Sequence, residues 1–135
     1  MKKATLAWLE LADRDLKVAI KLAEDNYLTN LALFHCQQCI EKCMKALLEE
    51  NGINPPRIHS IHRLWEIVKE DTGTIIPLSE EEMDTIDNIY TDTRYPGNLG
   101  LLPSGFPSQD LATEIIKVAN KVLDFTSKAI QKNET

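Results

Sequence analysis

Apolar residues recur at intervals of three and four along most of this chain, and this spacing constrains its fold more than any other feature. It is the spacing at which one side of an α-helix faces a core. Alternating runs of Val, Ile, Thr and Tyr, which are typical of strands, are missing. The pattern therefore predicts an all-α fold: a single domain over residues 1–135, built as an up-and-down bundle of about five helices.

The first two predicted helices are long and are separated by a short break at Asp25 and Asn26. One runs from Thr5 to Asp25, and the other runs from Thr29 to Asn51, with Gly52 just beyond its end. A short connection between long helices predicts an antiparallel pair. The predicted core stripe of the first helix is Trp8, Leu9, Ala12, Leu16, Ala19, Ile20 and Ala23, and the second helix has a wider apolar surface from Leu31 to Phe34 and at Cys36, Cys39, Ile40, Cys43, Met44, Leu47 and Leu48.

Three further helices are predicted after a proline-containing loop. Ser60 is expected to cap a short third helix, Ser79 and Glu82 form a capping box for a fourth, and Ser108 caps a long C-terminal helix. The stretch between the last two helices, Thr91 to Ser108, holds three of the six prolines and three of the five glycines. It is predicted to be the longest irregular segment, and a loop of that length in a small domain is often functional.

The charge of the chain excludes some classes of function. Its net charge is −6 and its pI is about 5.0, so the broad basic surface that duplex DNA requires is not expected. No apolar run reaches the roughly 18 residues of a membrane span. The N-terminal residues lead directly into an amphipathic pattern without the apolar block of a secretory signal, and we expect a cytoplasmic protein.

Polar residues interrupt the apolar surface of the second predicted helix. The spacing leaves two compatible interpretations open: Glu41 pairs with Lys45 or Arg94 and ties the bundle together, or these residues face a ligand. The residues form one row of Gln37, Glu41 and Lys45, and a neighbouring side with His35, Gln38 and Lys42.

The three cysteines, Cys36, Cys39 and Cys43, lie in the same predicted helix. An odd, clustered set is not a disulfide framework. With His35 beside them they superficially resemble zinc ligands, but one helix presents them along a stripe, whereas structural zinc sites draw ligands from turns or separate elements. We therefore predict small, buried packing residues, and no metal or cofactor.

Three motifs follow one another along the chain. They are Phe34 to Leu47 (FHCQQCIEKCMKAL), Pro55 to Ile61 (PPRIHSI) and Tyr90 to Pro96 (YTDTRYP). Together with Trp8, Leu9, Ala12, Asp15 and Leu16 near the start, they resemble the HEPN domains that prokaryotes encode beside minimal nucleotidyltransferases. The resemblance covers nearly the whole chain.

The resemblance implies a binding protein that acts with a separately encoded minimal nucleotidyltransferase in a toxin–antitoxin-like pair. It also implies a homodimer, and a nucleotide or RNA as ligand. From the chemistry of the residues, the Arg94 guanidinium is expected either to hold a phosphate or to pair with Glu41, and the Tyr95 ring either to stack on a base or to pack on the bundle. His59 lies just before the Ser60 cap, where the N-terminal amides of the third helix would meet an anion, or it only anchors its loop. The candidate ligand-binding residues are Arg94, Tyr95, Gln37, Gln38, Glu41, Lys42, Lys45, His35 and His59.

Many HEPN proteins are metal-independent ribonucleases whose motif is an arginine, four to six residues and a histidine. Here Arg94 is followed by Tyr95 to Leu101 without a histidine, and no histidine follows His62. The standard acid–base group is therefore missing, and we assign no catalytic residue. Two alternatives remain: a ribonuclease that uses a displaced histidine (His35, His59 or His62), and a purely structural module that dimerises.

Overall fold

The computed structural model describes residues 1–94 and 107–132, with the backbone alone for residues 90–94. This part of the chain forms five α-helices and one short 3₁₀ turn, and the predicted all-α bundle of five helices is confirmed. The elements are α1 (Lys3–Leu22), the 3₁₀ turn (Asn26–Leu28), α2 (Thr29–Glu50), α3 (Ile61–Thr72), α4 (Glu80–Arg94) and α5 (Gln109–Lys132).

Two predicted segments have different bounds in the structure. Helix α1 was predicted over Thr5 to Asp25 and spans Lys3–Leu22, because the chain turns before Asp25, whose carboxylate caps the 3₁₀ turn that follows. The stretch from Thr91 to Ser108 was predicted to be irregular, but residues 91–94 belong to α4. These four residues include no proline or glycine, and the first helix-breaking residue is Pro96, which disfavours helical backbone at the residue before it. Residues 95–106 of the predicted loop lie outside the described part of the chain.

Helices α1 and α2 form the predicted antiparallel pair. The carboxylate of Glu50, at the end of α2, accepts hydrogen bonds from the backbone amide of Lys2 at 3.0 Å and from the hydroxyl of Thr5 at 2.9 Å. These bonds hold the pKa of Glu50 below its usual value. The chain reverses at Asp25, whose carboxylate accepts from the amide of Tyr27, and α2 ends before Gly52, which has a φ of +74°.

Helix α2 lies at the centre of the bundle and contacts each of the other four helices. Its cysteines and the large apolar residues Leu33, Ile40, Met44, Leu47 and Leu48 are buried, as predicted, and Phe34 is half-buried. Two residues of the predicted core are exposed instead. Leu31 precedes the buried Ala32 and Leu33 and is turned outward by the helical rotation of about 100°. Ile20 lines an open groove between α1 and α5.

Helices α3 and α4 form a second hairpin that is fixed by one carboxylate. Asp87 of α4 accepts hydrogen bonds from the hydroxyl of Ser60 at 3.0 Å and from the amides of Ile61 and His62 at 2.6 and 3.2 Å. A negative charge is favourable at a helix N-terminus because the first amides are unpaired within the helix. The anion predicted at these amides is therefore a side chain of the protein itself.

The capping box of α4 is confirmed. The amide of Ser79 donates to Glu82 at 2.9 Å, and the amide of Glu82 donates to the Ser79 hydroxyl at 3.0 Å. Lys121 of α5 lies 3.4 Å from the same carboxylate, so the cap also links α4 to α5. The hydrogen bond from the Ser79 amide and the positive charge of Lys121 together lower the pKa of Glu82. Among the described helices, none has the length and apolar composition of a membrane span.

The lowered pKa of Glu82 predicts a pH-dependent contribution to stability. An ionised carboxylate with a depressed folded-state pKa contributes stability above its unfolded pKa of about 4.3 and loses it as the pH falls through the folded value. Glu82→Gln keeps the capping geometry but removes the charge. We expect the variant to be less stable by about 0.5 kcal/mol at pH 7, and this difference in the free energy of unfolding to be smaller at pH 3, measured by urea unfolding.

The control for this experiment is Glu81→Gln, because Glu81 occupies the same exposed first turn but does not belong to the capping box. A difference between Glu82→Gln and the native protein that is the same at both pH values would contradict the prediction.

Candidate functional site

The polar residues of α2 separate into two groups, which differ in burial. The first, here called the buried network, consists of the buried residues Gln37, Glu41 and Lys45 of α2, together with the half-exposed His59 from the loop before α3. The second, here called the Asp15 cluster, consists of Asp15 of α1 with His35 and Lys42 of α2. Gln38 contacts the first group, because its side-chain amide donates to the Gln37 oxygen at 2.6 Å.

The buried network is organised around the carboxylate of Glu41, which is only 4% exposed. The Lys45 ammonium donates to one oxygen at 3.1 Å, and the other oxygen accepts from the Gln37 amide at 3.2 Å. The Nδ1 atom of His59 lies 3.0 Å from that second oxygen. Three partners therefore compensate a charge that would be costly to bury alone.

The network also fixes the loop that precedes α3. The Gln37 amide donates to the backbone carbonyl of His59 at 3.2 Å, so the His59 backbone and ring both contact α2. Lys45 is buried beside the indole of Trp8, with its ammonium 5.7 Å from the ring centroid. These contacts give the network a structural role: Glu41 pairs with Lys45, and His59 anchors its loop.

The Asp15 cluster bridges α1 and α2 at the surface. One oxygen of the buried Asp15 carboxylate lies 2.8 Å from His35 Nδ1, and the other accepts from Lys42 Nζ at 2.5 Å. His35 and Lys42 are seven residues apart and therefore project from the same side of α2. Their side chains are 29% and 20% exposed, so a ligand can reach both.

This arrangement suits anion binding or proton transfer. Because Asp15 faces the Nδ1 atom of His35, it orients the ring and directs Nε2 to the opposite side. The Lys42 ammonium has three donors, and the Asp15 contact uses one. The rings of His35 and the half-buried Phe34 pack edge to face, with their centroids 5.4 Å apart and their planes at 75°. Aromatic surface therefore lies beside the imidazole and the ammonium group.

The cysteines pack in the core and do not face His35. Cys36, Cys39 and Cys43 are fully buried, as predicted. Burial, with Cys39 nearby, raises the pKa of Cys36 to about 12, and the hydrogen bond with Cys39, together with burial, raises that of Cys43. Thiols in this state remain protonated, whereas a metal ligand must be a thiolate. Within residues 1–94 and 107–132 the structure has no group of three or more side chains placed to hold a metal ion.

The remaining predicted site residues are only partly covered by the structure. Arg94 is the last residue of α4, and its side chain lies outside the described part, as does the whole of Tyr95. The alternative pairing of Glu41 with Arg94 therefore remains a prediction. His62, a candidate displaced histidine, lies 3.4 Å from Asp84 and 3.7 Å from Glu66.

Sequence reasoning missed two carboxylates on which this region depends. Asp15 is buried between Ala12, Leu16 and Ala19 of the core stripe, and a charged residue at such a position is a signal for a partner on the facing helix. Asp87 lies on α4, where no local pattern indicates that it would reach the N-terminus of α3. Each makes its contacts with residues at least twenty positions away.

Removal of the Glu41 charge tests the structural role of the buried network. Glu41→Gln leaves the buried Lys45 ammonium without its carboxylate partner, and breaking a buried ion pair costs about 3–5 kcal/mol. We expect the free energy of unfolding, measured with urea, to fall by that amount. Glu70→Gln on the exposed side of α3 is the matched control and should change stability by less than about 0.5 kcal/mol. Equal, small effects for the two variants would be evidence against this role.

Comparison with known proteins places the bundle in a family. The model of the HEPN domain matches residues 5–130. A curated relative from Methanocaldococcus jannaschii, named "Putative toxin MJ1304", is 29% identical over an alignment of 130 residues that covers 87% of this chain and 82% of the relative.

A solved structure agrees with that match. The crystal structure of ST0689, an archaeal HEPN homologue, is similar with a TM-score of 0.68 at 29% sequence identity, over 96% of this chain and 99% of that one. Because the family match extends from the first turn of α1 to the last turn of α5, this chain belongs to the HEPN domain family.

Proposed function

We propose that this protein is a toxin-like HEPN module that binds a nucleotide or RNA and acts with a separately encoded minimal nucleotidyltransferase. The observation that carries the proposal is the Asp15 cluster, which holds an imidazole and an ammonium group side by side at a partly exposed surface. The name of the relative from M. jannaschii supports the toxin-like role, and membership of the HEPN family supports the nucleotide or RNA ligand.

In this proposal the two groups of polar residues have different tasks. Lys42 contacts a phosphate, and His35 with Phe34 provides the surface on which a base stacks. Gln38 offers amide groups to the edge of the base. The buried network of Gln37, Glu41, Lys45 and His59 holds α2 and the loop before α3 in place. It therefore positions the residues that contact the ligand.

Arg94 and Tyr95 form the second half of the proposed site. Arg94 is seven residues, or about 10 Å along the helix, beyond Asp87, which contacts the start of α3 next to His59. The proposal assigns a phosphate contact to its guanidinium and a stacking contact to the Tyr95 ring.

The proposal includes a homodimer. Helix α1 has exposed apolar residues at Leu11 and Val18, which are seven positions apart and hence on one side, away from its core stripe. Leu31 and Tyr27 add exposed apolar surface near the start of α2. Such surface suits burial against a second copy. Sedimentation at several concentrations tests this, and a monomer at all of them would contradict it.

A second candidate function is a HEPN-type ribonuclease that uses a displaced histidine. The geometry favours His35 for this role, because Asp15 orients its ring as a carboxylate orients a general base. The same geometry is present at His59, whose Nδ1 faces the buried Glu41 carboxylate and whose side chain is 50% exposed. Cleavage of single-stranded RNA that is lost in His35→Ala or in His59→Ala would support this function, and cleavage that both variants leave unchanged would indicate contamination.

Binding of small probes tests the site directly. We expect AMP, ATP or a short single-stranded RNA to bind in isothermal titration, with at least tenfold weaker affinity for Lys42→Ala and for His35→Ala, because each removes a proposed contact. Lys17→Ala on the exposed side of α1 is the matched control and should bind like the native protein. Circular dichroism checks that each variant is folded.

Two results would contradict the binding proposal. One is no binding of any of the three probes, which would favour a purely structural dimerising module. The other is binding that neither cluster variant weakens. The partner is tested separately: co-purification with a nucleotidyltransferase encoded by the neighbouring gene is expected, and a failure of co-expression to give a complex would count against it.

A further inference from the structure

A second surface of the protein has no part in the proposed nucleotide site. It is an open groove of about 910 Å³ between the C-terminal half of α5 and the loop that joins α3 to α4. Its apolar wall is formed by Pro77, Phe125 and Ala129, and three lysines, Lys121, Lys128 and Lys132, line it as well. The Asp15 cluster belongs to α1 and α2, so the two surfaces are built from different elements.

The lysines of α5 are concentrated on one side of the helix. They occupy positions 117, 121, 128 and 132, and spacings of four and seven residues bring them into one exposed stripe. Asp110, Glu114 and Asp124 share this side of the helix, but at the groove three lysines stand against the one carboxylate of Asp124, in a chain whose net charge is −6. A stripe of this kind attracts carboxylates or phosphates.

Lys121 and Lys128 have acidic neighbours that can be exchanged. Lys128 lies 3.0 Å from Asp124 on the same helix, and Lys121 lies 3.4 Å from Glu82 of α4. Both are surface ion pairs, which contribute little to stability. Replacement of these contacts by carboxylates of a partner therefore costs little.

The apolar side of the groove is held in place before any partner arrives. The Trp65 indole donates to the carbonyl of Ile76 at 2.9 Å and fixes the loop next to Pro77. Ile75, two residues before Pro77 in the same loop, is 60% exposed and extends the apolar surface. A preformed surface loses less conformational entropy on binding than a mobile one.

We infer that this groove docks an acidic amphipathic helix of a partner protein. The apolar face of such a helix would pack on Phe125, Ala129 and Pro77, and its Asp and Glu side chains would pair with Lys121, Lys128 and Lys132. An apolar face flanked by charges, set into a groove, is a common mode of helix recognition. The apolar wall disfavours a nucleic-acid strand, since only Phe125 among the wall residues offers a ring for stacking.

Synthetic peptides test this inference on the full chain. The probe is a fluorescein-labelled 14-residue helix of Leu and Glu, with Leu at spacings of three and four, and the matched peptide has Lys at every Glu position. We expect fluorescence anisotropy to show at least tenfold tighter binding of the Leu–Glu peptide. Backbone amide shifts should change mainly in Ile75, Ile76 and residues 121–132.

The protein variants give the second arm of the test. The double variant Lys121→Gln and Lys128→Gln should bind the Leu–Glu peptide about tenfold more weakly, because each exposed ion pair contributes a factor of a few to the affinity. Lys17→Gln with Lys21→Gln on α1 is the matched control and should have no effect. Thermal unfolding checks that both double variants remain folded.

The inference is overturned if both peptides bind equally, if the groove variant binds like the control, or if the Leu–Glu peptide does not bind. It is also overturned if a ten-nucleotide single-stranded RNA, rather than the peptide, shifts residues 121–132, or if the groove variant abolishes self-association. These outcomes do not depend on the Asp15 cluster, so the nucleotide proposal stands or falls separately.

Discussion

A buried carboxylate needs hydrogen-bond donors, and the donors that surround Glu41 hold several elements of this protein together. Helix α2 contacts all four other helices, so a charge near its middle lies in the interior of the bundle. Lys45, Gln37 and His59 supply the partners. Since His59 comes from the loop before α3, the hydrogen bonds of this one carboxylate also hold that loop against α2.

The same helix carries a second set of polar residues with a different character. His35 and Lys42 meet Asp15 at the surface between α1 and α2, and they stay partly exposed where Lys45 does not. A group that is held in one geometry and remains reachable is suited to ligand contact, whereas a group that is held and buried is suited to support. This difference in burial is the physical basis for assigning binding to one set and support to the other.

The sequence predicts the fold well because the signals for it are local. The apolar spacing, the Ser79–Glu82 capping box and the serine caps at Ser60 and Ser108 each depend on residues within a few positions, and each is confirmed. Gly52 ends α2 for an equally local reason. The end of α4 was predicted less well, because four residues without a breaker continue the helix.

The site is less predictable, because its contacts join distant parts of the chain. Helical spacing placed Gln37, Glu41 and Lys45 in one row, but only the packing of α1, α2 and the α3 loop shows that this row is buried and that His35 and Lys42 share Asp15. Asp87 at the start of α3 is a further contact of this kind. Burial of a polar residue depends on which helix covers it, and periodicity alone does not determine that.

The central claim is that the two sets of polar residues on α2 have different roles, and side-chain NMR tests it most directly. In a titration of isotope-labelled protein with ATP, the resonances of the Lys42 side chain and the His35 ring should shift in a saturable manner. Those of the Lys45 side chain and the Gln37 amide should stay in place. Shifts of Lys45 and Gln37 as large as those of Lys42 and His35 would contradict the account.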